Sequence, residues 1–274
     1  MKALKNHLIL FDAECPMCRM YTNAFVKSGM IENEGRVAYQ EMPQEVCPLV
    51  DQQRAVNEIA LVNTETGEVS YGIKSLFKLF AVAIPVLKPL FVFVPFVWLM
   101  SKVYAFIAFN RRVIVPADNK ENGFAFQPTF KLNYRLAYLV FTWAITAYII
   151  SSYAELIRGL LPDGDIYREY WICGGQIFFQ GAIVSIIAKD KRWEYLGNIM
   201  TISFVGALLL IPGLMLASLF TFNPLFYVAY FIAVEGLMLL EHIRRSNLLN
   251  LGYILTITWV LYRVFNLFIY AFNL

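Results

Sequence analysis

Charge is what this sequence has least of. Only 16% of its 274 residues are Asp, Glu, Lys or Arg, against about 25% in an ordinary soluble protein. The deficit is concentrated in the second half, where no charged residue occurs between Leu196 and Val234. That excludes a chain that is soluble throughout. The net charge of +3 is small, and no nucleic-acid partner is expected from it. Histidine and cysteine are scarce too, with two and four copies. A structural metal site beside Cys15 and Cys18 would need a second Cys/His pair, and only Cys47, Cys173, His7 and His242 remain. No metal is expected. There is no Gly-rich phosphate loop, no internal repeat and no low-complexity stretch. No signal peptide precedes the first apolar run, so export of the first domain is not expected.

What is present begins with seven residues, Asp12-Ala13-Glu14-Cys15-Pro16-Met17-Cys18. They follow the apolar run Leu8–Phe11, a short buried strand, and lead into a helix expected over Met17–Met30. Strand, Cys-x-x-C and helix form the arrangement a redox dithiol needs. Cys15 then sits at the helix N-terminus, where unpaired backbone N–H groups and the positive end of the dipole favour a thiolate. Pro16 suits the first helical position, since its missing N–H costs nothing there. Cys18, one turn on, is placed to attack a mixed disulfide formed at Cys15. The same spacing also serves as half a zinc site or as an inert pair.

The stretch Phe11–Arg19 resembles the signature of the DCC family of thiol-disulfide oxidoreductases, named for its Asp, Cys, Cys pattern. Glu58–Val62, Thr66-Gly67, Tyr71, Ser75 and the ending Tyr104–Arg111 extend the resemblance over about residues 5–112. It implies a thioredoxin-like fold with Cys15 and Cys18 as the redox pair. The local patterns agree with a β-α-β-α-β-α order: strands at Leu8–Phe11 and Arg36–Glu41, a helix at Glu45–Gln53, a hairpin of Ile59–Val62 with Glu68–Tyr71, and a closing helix from Lys74.

The second half reads as an all-α polytopic membrane domain. Five spans are expected, at about 134–155, 170–188, 195–217, 223–241 and 248–272, each near the ~20 residues that cross a bilayer. Arg111, Arg112, Lys120, Lys131 and Arg135 precede the first; Lys189, Lys191 and Arg192 follow the second; Arg244 and Arg245 follow the fourth. The positive-inside rule therefore puts the dithiol domain in the cytoplasm and the C-terminus outside, in a bacterial inner-membrane type of arrangement. Residues 79–101 carry one charge, Lys88, and three prolines. They read as short helices on the membrane surface rather than a sixth span.

Other residues admit two uses each. Asp12 either shuttles a proton from Cys18 or caps the turn. Cys47 and Cys173 read as small buried hydrophobes. Glu235 and Arg263 fall mid-depth in the last two spans and are expected to pair, either as a relay extended by Gln176, Gln180 and Asn266 or as a register-fixing pair. Glu241 and His242 are expected at the cytoplasmic interface.

These readings divide the chain into a thioredoxin-like α/β domain at 1–112, a linker at 113–133 and a transmembrane bundle at 134–274. The expected function is a membrane-anchored thiol–disulfide oxidoreductase, acting on a protein or small-thiol disulfide. The alternative is a transporter or complex subunit, with a membrane partner and a docking or redox-sensing domain. The dithiol needs no cofactor; a quinone is conceivable, but no motif for one stands out.

Overall fold

The computed structural model describes residues 3–43, 45–116, 128–160, 165 and 167–271. Lys120 and most of the expected linker lie outside the described residues, as do parts of the connection between the first two expected spans and residue 272. The chain forms two compact units, Met1–Tyr134 and Arg135–Leu274.

The first unit is built on a small mixed sheet. Strand β1 (His7–Phe11) lies beside β2 (Arg36–Ala38) in parallel, with Ile9 opposite Arg36. The parallel pairing requires a crossover, and helix α1 (Pro16–Lys27) supplies it. On its other edge β1 runs antiparallel to β3 (Ala60–Asn63), which turns back into β4 (Val69–Tyr71), giving the order β2-β1-β3-β4. The hairpin turn is closed by Asn63, whose Oδ1 accepts the Glu65 and Thr66 N–H groups, and by Gly67 at φ +71°, a conformation that suits glycine. The run Leu8–Phe11 does not alternate because both sheet faces are covered. Ile9 packs with Phe25, Ile59, Leu61 and Leu79 on one face; Leu10 packs with Val50, Ala55 and Val62 on the other.

The helix expected at Glu45–Gln53 is instead a single 3-10 turn, Cys47–Leu49, followed by the short α2 (Gln52–Asn57). Asp51 caps α2 by accepting the Arg54 N–H at 3.0 Å, which fixes the start about two turns later than the pattern suggested. Helix α3 (Ile73–Ala83) closes the sheet, and α4 (Lys88–Val92) and α5 (Val94–Ile114) follow. The segment Pro85–Val92 meets α5 at 89°, with Pro95 in the first turn of α5.

The second unit is helical: α6 (Leu132–Ala154), α7 (Arg168–Ile187), α8 (Arg192–Leu219), α9 (Pro224–Leu248) and α10 (Ile254–Ala271). Four of these segments are long and apolar enough to cross a membrane, and a fifth joins them if the bent 85–114 pair counts as one span. The fifth expected span, 248–272, is shorter than anticipated. Left-handed backbone at Asn250 and Gly252 delays the start of α10 to Ile254, leaving an 18-residue helix. Where α8 and α9 cross, a Cβ on Gly206 would collide with Met238, so glycine permits the close approach. Ile202, Leu210, Val234 and Trp259 fill the centre of this unit.

Candidate active site

The end of β1 delivers Asp12 and Cys15 to the start of α1. The Cys15 N–H closes a turn onto the Asp12 carbonyl at 3.2 Å. Cys15 is extended (φ −93°, ψ 110°) and is the N-cap, while Pro16 takes the first helical position. Its Sγ accepts the Cys18 backbone N–H at 3.3 Å, so the sulfur satisfies one of the unpaired donors of the helix end. Both thiols are free and buried, Cys15 being only 1% exposed.

The two sulfurs differ in electrostatics. The Cys15 thiol is lowered from 9.0 to about 7, first by a hydrogen bond from the Cys18 thiol, against the opposing effect of burial. The Arg111 guanidinium and the Cys18 backbone N–H lower it further, and the Asp12 carboxylate acts the other way. Cys18 is pushed well above its ordinary value by that same hydrogen bond and by burial. One thiol is thus poised to ionise while its neighbour holds its proton.

Arg111 is the residue that sequence reasoning missed. It comes from the last turn of α5, is buried, and donates to Asp12 Oδ2 at 2.9 Å, to the Val56 carbonyl at 2.6 Å and to the Asn57 carbonyl at 3.1 Å. From the sequence it counted only as one of several basic residues ahead of the first span. The available signal was its place at the end of the Tyr104–Arg111 match. Tyr104 is also built in, accepting the Ile59 N–H at 3.0 Å.

The other Asp12 oxygen accepts the Glu14 N–H at 3.0 Å and the Gln40 side-chain amide at 3.2 Å. Arg112 stands 3.6 Å from Oδ2 and 3.3 Å from Glu14. Among the described residues, the hydrogen bonds of the Asp12 carboxylate do not reach either thiol. Gln40 completes the turn by accepting the Ala13 N–H at 3.2 Å. Cys47 lies apart from this cluster, its sulfur accepting from the Gln52 amide.

In the helical unit Glu235 and Arg263 are hydrogen-bonded to each other, and the guanidinium lies over the Trp259 ring. They line a cavity together with Thr146, Cys173 and Gln176. Gln180 belongs to a second group: it accepts the Tyr195 hydroxyl at 2.8 Å, and that hydroxyl is hydrogen-bonded to His242 Nε2 at 3.1 Å. His242 Nδ1 pairs with the Thr256 hydroxyl at 2.9 Å. His242, expected at the interface, is therefore a buried core residue. Among the described residues, Asn266 donates within its own helix, to the Tyr262 carbonyl.

Residues 9–115 match a protein family, DCC1-like thiol-disulfide oxidoreductase. The matched segment takes in Asp12, both cysteines of the motif and Arg111. No curated protein matches the chain, and no solved structure does.

Proposed function

We propose that the protein is a membrane-anchored thiol–disulfide oxidoreductase whose first unit is thioredoxin-like and acts as a disulfide reductase. The observation that carries this reading is the placement of the two cysteines: Cys15 caps α1 and its Sγ accepts the Cys18 N–H at 3.3 Å, an arrangement that lowers the Cys15 thiol and raises that of Cys18. A lowered thiol at the helix start beside a raised one fits an attacking and a resolving cysteine, the division of roles that disulfide exchange needs. The parallel β1–β2 pair joined by α1, with an antiparallel hairpin on the other edge, supports the thioredoxin-like assignment.

In this mechanism the Cys15 thiolate attacks one sulfur of a protein or small-thiol disulfide. The S–S bond breaks, one half leaves as a thiolate, and the other stays on Cys15 as a mixed disulfide. Cys18 then gives up its proton, which ends on a departing thiolate, and attacks the Cys15 sulfur. The second half leaves, the substrate has gained two electrons, and the protein holds a Cys15–Cys18 disulfide. A thiol or dithiol donor returns the pair to its reduced form. Arg111 supplies the countercharge to the Cys15 thiolate. Asp12 acts as a positioning residue, fixing Arg111 together with the Val56 and Asn57 carbonyls.

Membrane anchoring is supported by the apolar helices of the second unit. The distribution of Lys and Arg supports a cytoplasmic dithiol, in a compartment that keeps thiols reduced. Exposed Val86, Val92, Phe93 and Trp98 support a surface-lying role for the 79–101 region. The test is equilibration of the purified protein with thiol–disulfide buffers of known potential. A reductase gives a midpoint near about −270 mV, whereas one near about −120 mV overturns the reductase assignment.

A further inference from the structure

Alongside the dithiol, the surface of the first unit carries a groove that the exchange chemistry leaves unassigned. It is a shallow, open groove of about 390 Å³ lined by Pro16, Arg19, Met20, Asn23 and Arg36. Positions 16, 19, 20 and 23 form one face of α1, and Arg36 opens β2 beside it. Pro16, which lines the groove, follows Cys15 directly in the chain; neither thiol lines the groove itself.

The two arginines set the character of this surface. Among the described residues neither has a carboxylate partner. Arg36 is held in one geometry: its Nε donates to the Thr22 hydroxyl at 2.9 Å, Nη2 reaches the Arg19 carbonyl at 3.4 Å, and the guanidinium lies 4.0 Å over the Phe11 ring. Thr22 in turn donates to the Cys18 carbonyl at 2.7 Å, tying Arg36 to the dithiol helix. The field of Arg19 adds to burial in lowering the pKa of Arg36, as expected of two cations facing one space. Met20 is 68% exposed on the same face. A fixed guanidinium with free N–H donors, a second cation and a soft apolar side chain together suit a carboxylate on a short organic or peptide chain.

We propose that this groove receives a carboxylate of the substrate, so that the protein selects negatively charged disulfides. The proposal deepens the oxidoreductase reading above and rests on it. Here too Cys15 opens the substrate S–S bond and Cys18 releases the second half, with two electrons passing to the substrate. The groove only raises the local concentration of anionic substrate and orients it.

The experiment uses the full chain, purified and reduced, with glutathione disulfide and its tetraethyl ester as substrates. The two share one disulfide chemistry and differ in charge. Wild type is expected to exchange faster with the free acid, by about fivefold, an advantage that high salt removes. Arg19→Glu, an exposed change that the N-terminal half of α1 tolerates, is expected to slow the free acid and speed the ester. Alkylation of Cys15 by neutral iodoacetamide reports that the site in this variant is intact. Equal rates on both substrates in wild type, or equal slowing of both in the variant with Cys15 intact, overturn the substrate inference and leave the oxidoreductase reading standing. Exchange with neither substrate overturns the substrate inference, and the midpoint titration above then decides the oxidoreductase reading separately.

Discussion

Arg111 Nη2 donates to Asp12 Oδ2 at 2.9 Å, joining residues 99 positions apart across the floor of the dithiol. The pair ties the end of α5 to the end of β1. It also makes the chemistry of Cys15 depend on a helix far along the chain. Asp12 alone would disfavour a nearby thiolate; with Arg111 beside it, the local balance favours ionisation.

Arg111→Gln should therefore raise the Cys15 pKa. An opposite charge favours the ionised form, so its removal shifts the thiol upward from about 7. A rise of about one unit slows alkylation at pH 6 roughly tenfold and leaves it nearly unchanged at pH 10, where both forms are thiolate. Because the substitution leaves Asp12 buried without its cation, Asp12→Asn/Arg111→Gln serves as the folded control. An unshifted pH profile in both variants would remove Arg111 from the mechanism.

Labelling should discriminate sharply between the two cysteines. At pH 6–7 the lowered thiol of Cys15 reacts first, and the raised thiol of Cys18 lags. Site-resolved mass spectrometry of the reduced protein after brief alkylation measures this directly. Equal labelling of the two would contradict the assigned roles.

Much of the first unit was legible because its signals are local. The strand, the proline after Cys15 and the glycine turn of the hairpin are each set by a few adjacent residues. The helix at 45–53 failed because Pro48 and the Asp51 cap divide that stretch, and an apolar count does not weigh them. Arg111 was not legible, because its partners Asp12, Val56 and Asn57 are brought to it only by the fold. The burial of His242 was not legible for a related reason. Counting depth along a span gives its height but not the face it presents, and that face points at Tyr195 and Thr256. The last helix was drawn too long because left-handed backbone at Asn250 carries no hydropathy signal.

The topology can be read with a membrane-impermeant thiol reagent. Applied to intact cells it should leave Cys15 and Cys47 unlabelled, and it should label both after lysis and reduction. Labelling before lysis would put the dithiol outside and turn the expected activity toward disulfide formation.

The Glu235–Arg263 pair separates a structural bundle from a working one. Replacing either residue alone strands a charge among apolar helices and should cost about 3 kcal/mol of stability. Glu235→Gln/Arg263→Met should recover much of that loss and leave dithiol turnover unchanged, as measured by thermal unfolding and disulfide exchange. A folded double variant that has lost function would assign the pair to a relay instead.

The most direct test of the central claim is the trapping of exchange intermediates in cells. With Cys18→Ser, the Cys15 thiolate attacks a substrate but nothing resolves the product. Mixed disulfides should then accumulate and disappear on reduction, whereas Cys15→Ser should accumulate none. Adducts on Cys15→Ser instead, or on neither variant, would contradict a dithiol in which Cys15 attacks and Cys18 resolves.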